Sequence, residues 1–142
     1  MMRGMSNRSD LPPGEPVALS ALRAGQRVRA VNQTRGGVLA EDVRLALGPW
    51  TRLRGLLGTA PLQSGEGLLL RPCSAVHTCF MGYAIDVLFL DDGGRVVGAH
   101  AELVPWRFTP IHGAALATLE LSAGALARSG TVLGDEVAFC RR

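Results

Sequence analysis

Polar and apolar residues alternate from Arg27 through Val31, the period of a half-buried strand. Gly36-Gly37 interrupts the pattern and residues 38–46 resume it, which predicts a hairpin. Gly48-Pro49 ends that segment. Leu53, Leu56 and Leu57 then share one helical face, with Pro49 suited to the first turn and Gly58 to the stop, so a short helix is expected over 49–57. Further strands are expected over 67–70, 76–80 and 84–90. Asp92-Gly93-Gly94 is a hairpin turn leading into a strand over 95–101. Pro105, Pro110 and Gly113 punctuate a loop. Residues 115–121 read as a strand, 125–129 as a helical segment stopped by Gly130, and 132–139 as a turn and a last strand. Many short strands with little helix predict an α+β fold: a compact, β-rich, barrel-like, mainly antiparallel sheet with one or two short helices.

Length is that of one domain, 142 residues, enough to hold a core without disulfides. The polar, proline-containing stretch 1–25 is expected to be a mobile basic arm, with the 17–22 run docking as a helical turn, and 26–142 to be a single domain. Charge is uneven along the chain. Residues 1–36 hold six arginines against Asp10 and Glu15, whereas 37–142 hold nine arginines against ten acids. The pI of 9.2 therefore comes from the first quarter. The domain shows no basic patch interleaved with aromatics, so no nucleic-acid partner is expected. All fifteen basic residues are arginine, as the codon bias of a GC-rich genome would produce, with selection for phosphate binding the alternative. Three cysteines without a CxxC point to reduced thiols. No stretch of eighteen apolar residues and no secretory pattern occur, so the expectation is a cytoplasmic monomer with no membrane partner.

Chemistry concentrates between Gly65 and Val97 and in the loop that follows. Asp86 interrupts an apolar run, and a carboxylate buried there needs a donor; Arg54, Arg107 and His77 are the candidate cations. His77-Thr78 lies between Cys73 and Cys79. A zinc site is not expected, because Cys73 and His77 on a regular strand lie ~13 Å apart. The same spacing counts against a direct Cys73–His77 nucleophilic pair. Trp106-Arg107 is a recognition-type pair in a loop. Glu120 is read as a solvated or arginine-paired acid, and Gly134-Asp135 as a tight turn. Phosphate-binding loops and the common hydrolase motifs are absent, and no cofactor or metal is expected.

Several of these residues fall in one order. Arg54-Gly55-Leu56-Leu57 is followed by Gly67-Leu68-Leu69-Leu70, then Cys73, His77, Thr78 and Met81, then the 85–91 run. Pro105-Trp106-Arg107, the 119–124 strand end and Gly134-Asp135 complete the series, which resembles DUF192, a family of small bacterial and archaeal domains. Cys79 and Gly82 depart from its pattern. The resemblance implies a β-rich fold with a polar cleft and no established activity. The expected function is binding of a small polar or anionic ligand or a peptide, in a cleft lined by Arg54, His77, Thr78, Asp86, Trp106 and Arg107. One alternative is a hydrolase or transferase using His77 and Asp86, with or without Cys73. Another is a protein-interaction module working through a sheet edge.

Overall fold

The computed structural model describes residues 14–48 and 61–142. Eight strands form one curled sheet: β1 (Pro16–Val17), β2 (Val28–Asn32), β3 (Val38–Ala46), β4 (Glu66–Leu70), β5 (Ile85–Leu90), β6 (Val96–Leu103), β7 (Ala117–Ser122) and β8 (Val137–Arg141). Their order across the sheet is β1-β8-β2-β3-β4-β7-β5-β6. All pairs are antiparallel except β3 with β4. A half-barrel results, because the start of β6 meets the start of β8. Val96 N–H donates to the Asp135 carbonyl at 2.8 Å and Val137 N–H to the Gly94 carbonyl at 2.8 Å. Gly94 has φ 86, and a Cβ there would run into the Val137 carbonyl, so this junction requires glycine.

The expected α+β class holds in its β-rich part. Helix is limited to a 3-10 turn (Leu19–Ala21) and α1 (Ala125–Ser129) among the described residues. The expected helix over 49–57 lies outside them.

The central strands are buried on both faces, which is why 85–90 reads as a continuous apolar run. Even-numbered Leu88 and Leu90 pack with Leu119, Leu121, Leu126 and Phe139 on one face. Odd-numbered Ile85, Val87 and Phe89 pack with Leu68, Leu70 and Met81 on the other. Residues 16–22 belong to the first core. Leu19 and Leu22 are buried in it, and β1 pairs with β8 through Pro16–Cys140 and Val17–Phe139. The expected docking of 17–22 is therefore present, and residues 1–13 of the expected arm lie outside the described residues. Leu19 and Leu22, spaced along a polar stretch, are enough to dock it on the sheet.

Residues 76–80 do not form the expected strand. Only His77 makes a β-bridge there, to Phe108, and Phe80 takes a left-handed backbone with φ 66. Alternating apolar residues on a loop that packs on the sheet imitate a strand pattern.

Candidate functional site

Residues 73–82 and 104–112 are two loops laid against each other on the second core face. Thr78 is the pin between them. Its N–H donates to the Arg107 carbonyl at 2.9 Å, and its carbonyl accepts from Trp106 N–H at 3.1 Å. Its hydroxyl donates to the Val104 carbonyl at 2.6 Å and accepts from Arg107 N–H at 2.9 Å. Val76 and Thr109 add a second tie, with Thr109 N–H donating to the Val76 carbonyl at 3.0 Å and Val76 N–H to Thr109 Oγ1 at 3.0 Å.

The loops bury Met81 and hold several other apolar side chains outward. Phe80 is 74% exposed, Trp106 57%, Phe108 74% and Ile111 78%, with Val104 also exposed. The Phe80 and Trp106 rings meet edge to face at 4.7 Å between centroids, and the His77 ring lies 5.9 Å from that of Phe108. Phe80 and Trp106 both have positive φ, 66 and 65. Non-glycine residues seldom adopt that conformation, and where they do the surrounding structure imposes it. Here the Thr78 bonds impose it at Trp106.

Of the residues expected at the site, His77, Thr78, Trp106 and Arg107 come together on these loops. His77 is exposed, and its Nδ1 accepts the Cys79 N–H at 3.2 Å. Arg107 is exposed; its Nη1 donates to the Trp106 carbonyl at 3.4 Å. Thr78 is fully buried and spends its groups on the loops themselves. Arg54 lies outside the described residues.

Asp86 does not join them. It is fully buried on the opposite face of β5, where Oδ1 accepts Glu102 N–H and Oδ2 accepts Leu126 N–H, each at 2.8 Å. The expected pairing with a cation is thus corrected among the described residues: two backbone donors satisfy the carboxylate, one of them in the first turn of α1. A hydrolytic pair of His77 and Asp86 has no geometric basis here, since no bond joins them and neither carboxylate oxygen is open.

Glu120 also departs from expectation. It is buried between Leu68 of β4 and Val87 of β5, and its Oε2 has no hydrogen-bond partner among the described residues. Burial alone pushes its carboxyl up to about 7. Asp135 is the reverse. Arg35 Nε donates to it at 2.6 Å, Asn32 Nδ2 at 3.1 Å and Val132 N–H at 3.1 Å, and these donors, Arg35 foremost, hold its carboxyl below the usual range. The expected tight turn at Gly134-Asp135 is thus tied across the half-barrel.

Grooves open elsewhere. One of about 720 Å³ is lined by Gln26, Arg27, Arg29, Arg141 and Arg142. Asp42 engages Arg27 at 3.0 Å and Arg142 at 3.1 Å, and Glu41 lies 2.7 Å from Arg29 Nε. That last contact is an ion pair without hydrogen-bond alignment, for Arg29 Nε and Nη1 are buried and make no hydrogen bond among the described residues. No described helix is long and apolar enough to cross a membrane.

Comparison with known proteins places these features in a family. The DUF192 profile, described as "Uncharacterized ACR", matches residues 30–139. A UPF0127 protein of Thermococcus sibiricus is 32% identical over 111 residues, covering 75% of this chain and 71% of that protein. A crystal structure from Novosphingobium aromaticivorans, of unknown function, superposes with a TM-score of 0.68 at 25% identity, covering 87% of this chain and 91% of the other. A second, from Sinorhizobium meliloti and described provisionally as a transcription regulator, gives a TM-score of 0.68 at 25% identity over 79% and 91% of the two chains.

Proposed function

This chain belongs to the DUF192 family, and on that footing we propose that it is a non-catalytic binding domain whose working surface is the aromatic face of the 73–82 and 104–112 loops. The observation that carries this reading is the exposed Phe80–Trp106 pair, both in left-handed backbone, with Trp106 held outward by a fully bonded threonine. A contiguous exposed apolar patch bordered by polar residues is the mark of an interaction site. Its rigid aromatics lose little side-chain entropy on binding. Arg107 borders the patch and supplies positive charge, and the His77 ring beside Phe108 adds a hydrogen-bonding imidazole. The partner that fits is a peptide segment combining an aromatic or aliphatic side chain with a carboxylate.

Nucleic acid is the less favoured partner. Arg27, Arg29 and Arg142 already face Asp42 or Glu41, and the aromatic face carries one arginine. The provisional description of the Sinorhizobium protein therefore stays with that protein. A cytoplasmic, monomeric protein remains the reading that the sequence supports.

The test uses Trp106 as reporter in a Trp50→Phe background. Ten-residue peptides pairing Phe or Leu with Asp or Glu are titrated beside versions carrying lysine in place of the acids. The expected result is saturable quenching by the acidic peptides, lost in Phe80→Ser and weakened in Arg107→Ala. Equal binding of the lysine versions, no binding by any peptide, or indifference to Phe80→Ser overturns the proposal.

A further inference from the structure

His100 on β6 and His112 on the loop before β7 meet with their Nε2 atoms 3.0 Å apart. Their ring centroids stand 5.2 Å apart at an interplanar angle of 60°. The His112 ring is held from several sides. Phe89 lies against it at 4.3 Å between centroids, tilted by 32°. Its backbone N–H donates to the Ser74 carbonyl at 2.8 Å, and its carbonyl accepts from Ala115 N–H at 2.9 Å. Gly98 lies directly beneath it: a Cβ there would stand 2.6 Å from His112 Cε1 and 2.9 Å from Nε2. Only glycine at this position leaves the imidazole its seat. His100 is fixed in turn by the edge of Phe89, at 5.8 Å and 90°. Both histidines are half-buried, so the meeting point of the two nitrogens is preorganised and partly open.

We propose that His100 and His112 form a two-histidine site for a divalent transition ion of the zinc, copper or nickel class. Imidazole nitrogen is the donor these ions share. A tetrahedral ion ~2.0–2.1 Å from each nitrogen spaces the pair roughly 3.3–3.4 Å apart. The rings therefore open by a few tenths of an ångström and turn so that their lone pairs converge. The ion replaces the proton now shared between them, and the donor ring moves that proton to Nδ1, the other neutral tautomer. Among the described residues no third His, Cys, Asp or Glu completes a cluster, so water fills the remaining positions. The bound ion fastens the end of the 104–112 loop to β6. It thereby braces the loop that carries Trp106 and Phe108, independently of what that loop binds.

The test is titration of the metal-stripped full chain with ZnCl2, CuCl2 and NiCl2, followed by calorimetry and by imidazole 15N NMR. Saturation at one ion per chain is expected, with the His100 and His112 nitrogen signals shifting and those of His77 unmoved. The melting temperature should rise with free metal, as for any ligand that binds only the folded state. His112→Gln and His100→Gln should each abolish saturable binding, whereas Cys79→Ala should not. Gly98→Ala keeps both ligands, and by displacing the His112 ring it should weaken binding by roughly tenfold or more. Absence of saturable binding of all three ions, or unchanged affinity in the histidine variants, reduces the pair to a structural hydrogen bond and overturns the proposal. Should the glutamine variants fail to fold, the nitrogen signals of the unsubstituted protein decide alone: a shift at His77, or none at His100 and His112, overturns it.

Discussion

The Thr78 hydroxyl accepts the backbone N–H of Arg107 at 2.9 Å, and that bond fixes the chain where Trp106 turns outward. Thr78→Val keeps shape and volume but leaves the Arg107 N–H and the Val104 carbonyl without their partner. An unsatisfied buried group costs about 1–3 kcal/mol. Thr78→Val should lower stability by that order in urea denaturation and broaden the Trp106 emission, whereas Thr78→Ser should preserve both. A neutral Thr78→Val would show that the loops are held by other means.

Asp86 caps α1 from across the core, where Gly124 at the helix start has no side chain to offer. Asp86→Ala strands the N–H groups of Glu102 and Leu126, at about 1–3 kcal/mol for each buried donor left unmade. Chemical denaturation should register a loss of several times that of Asp92→Ala, an exposed site expected within about 0.5 kcal/mol of the unsubstituted protein. Equal effects of the two substitutions would contradict the capping role.

Glu120 should make the protein less stable as pH rises. Its carboxyl is raised from 4.5 to about 7, so between those values the folded chain holds a proton that the unfolded chain has released. Stability is fully retained below pH 4.5 and falls as pH climbs through 7. The shift corresponds to an upper value of about 3 kcal/mol. Glu120→Gln removes the titration. The gap in unfolding free energy between Glu120→Gln and the unsubstituted protein should be smallest near pH 4.5, grow to pH 8 and favour the glutamine. Every other ionisable group is common to the two proteins, so its contribution drops out of the difference. A gap that stays flat with pH would mean that Glu120 is not buried alone.

How far the sequence could be read follows from what kind of partner each residue found. The 85–90 run and the turn at 92–94 were legible because burial on two faces and a tight turn each demand particular residue types. The loop from Pro105 to Gly113 and the grouping of His77, Thr78, Trp106 and Arg107 were legible as well. The partners of Asp86 were not: backbone N–H groups carry no residue identity, so nothing at Glu102 or Leu126 announces a donor. Glu120 and the His100–His112 contact depend on which strands become neighbours, and β6 also shifts register against β5 at bulges; neither leaves a mark in composition. The 76–80 stretch misled because apolar alternation on a packed loop and on a strand look alike until a positive φ such as that of Phe80 intervenes.

β8, the last strand in the chain, lies between β1 and β2, which are the first two. During synthesis the ribosome releases β2 long before anything can satisfy its outer edge. Every N-terminal fragment ending before residue 137 thus exposes an open strand edge beside a half-formed core. Closure demands contacts across more than a hundred residues, which makes folding slow relative to local hairpins. The interval between the birth of β2 and the arrival of β8 is when an unpaired strand edge of this chain stands open to pairing with another chain.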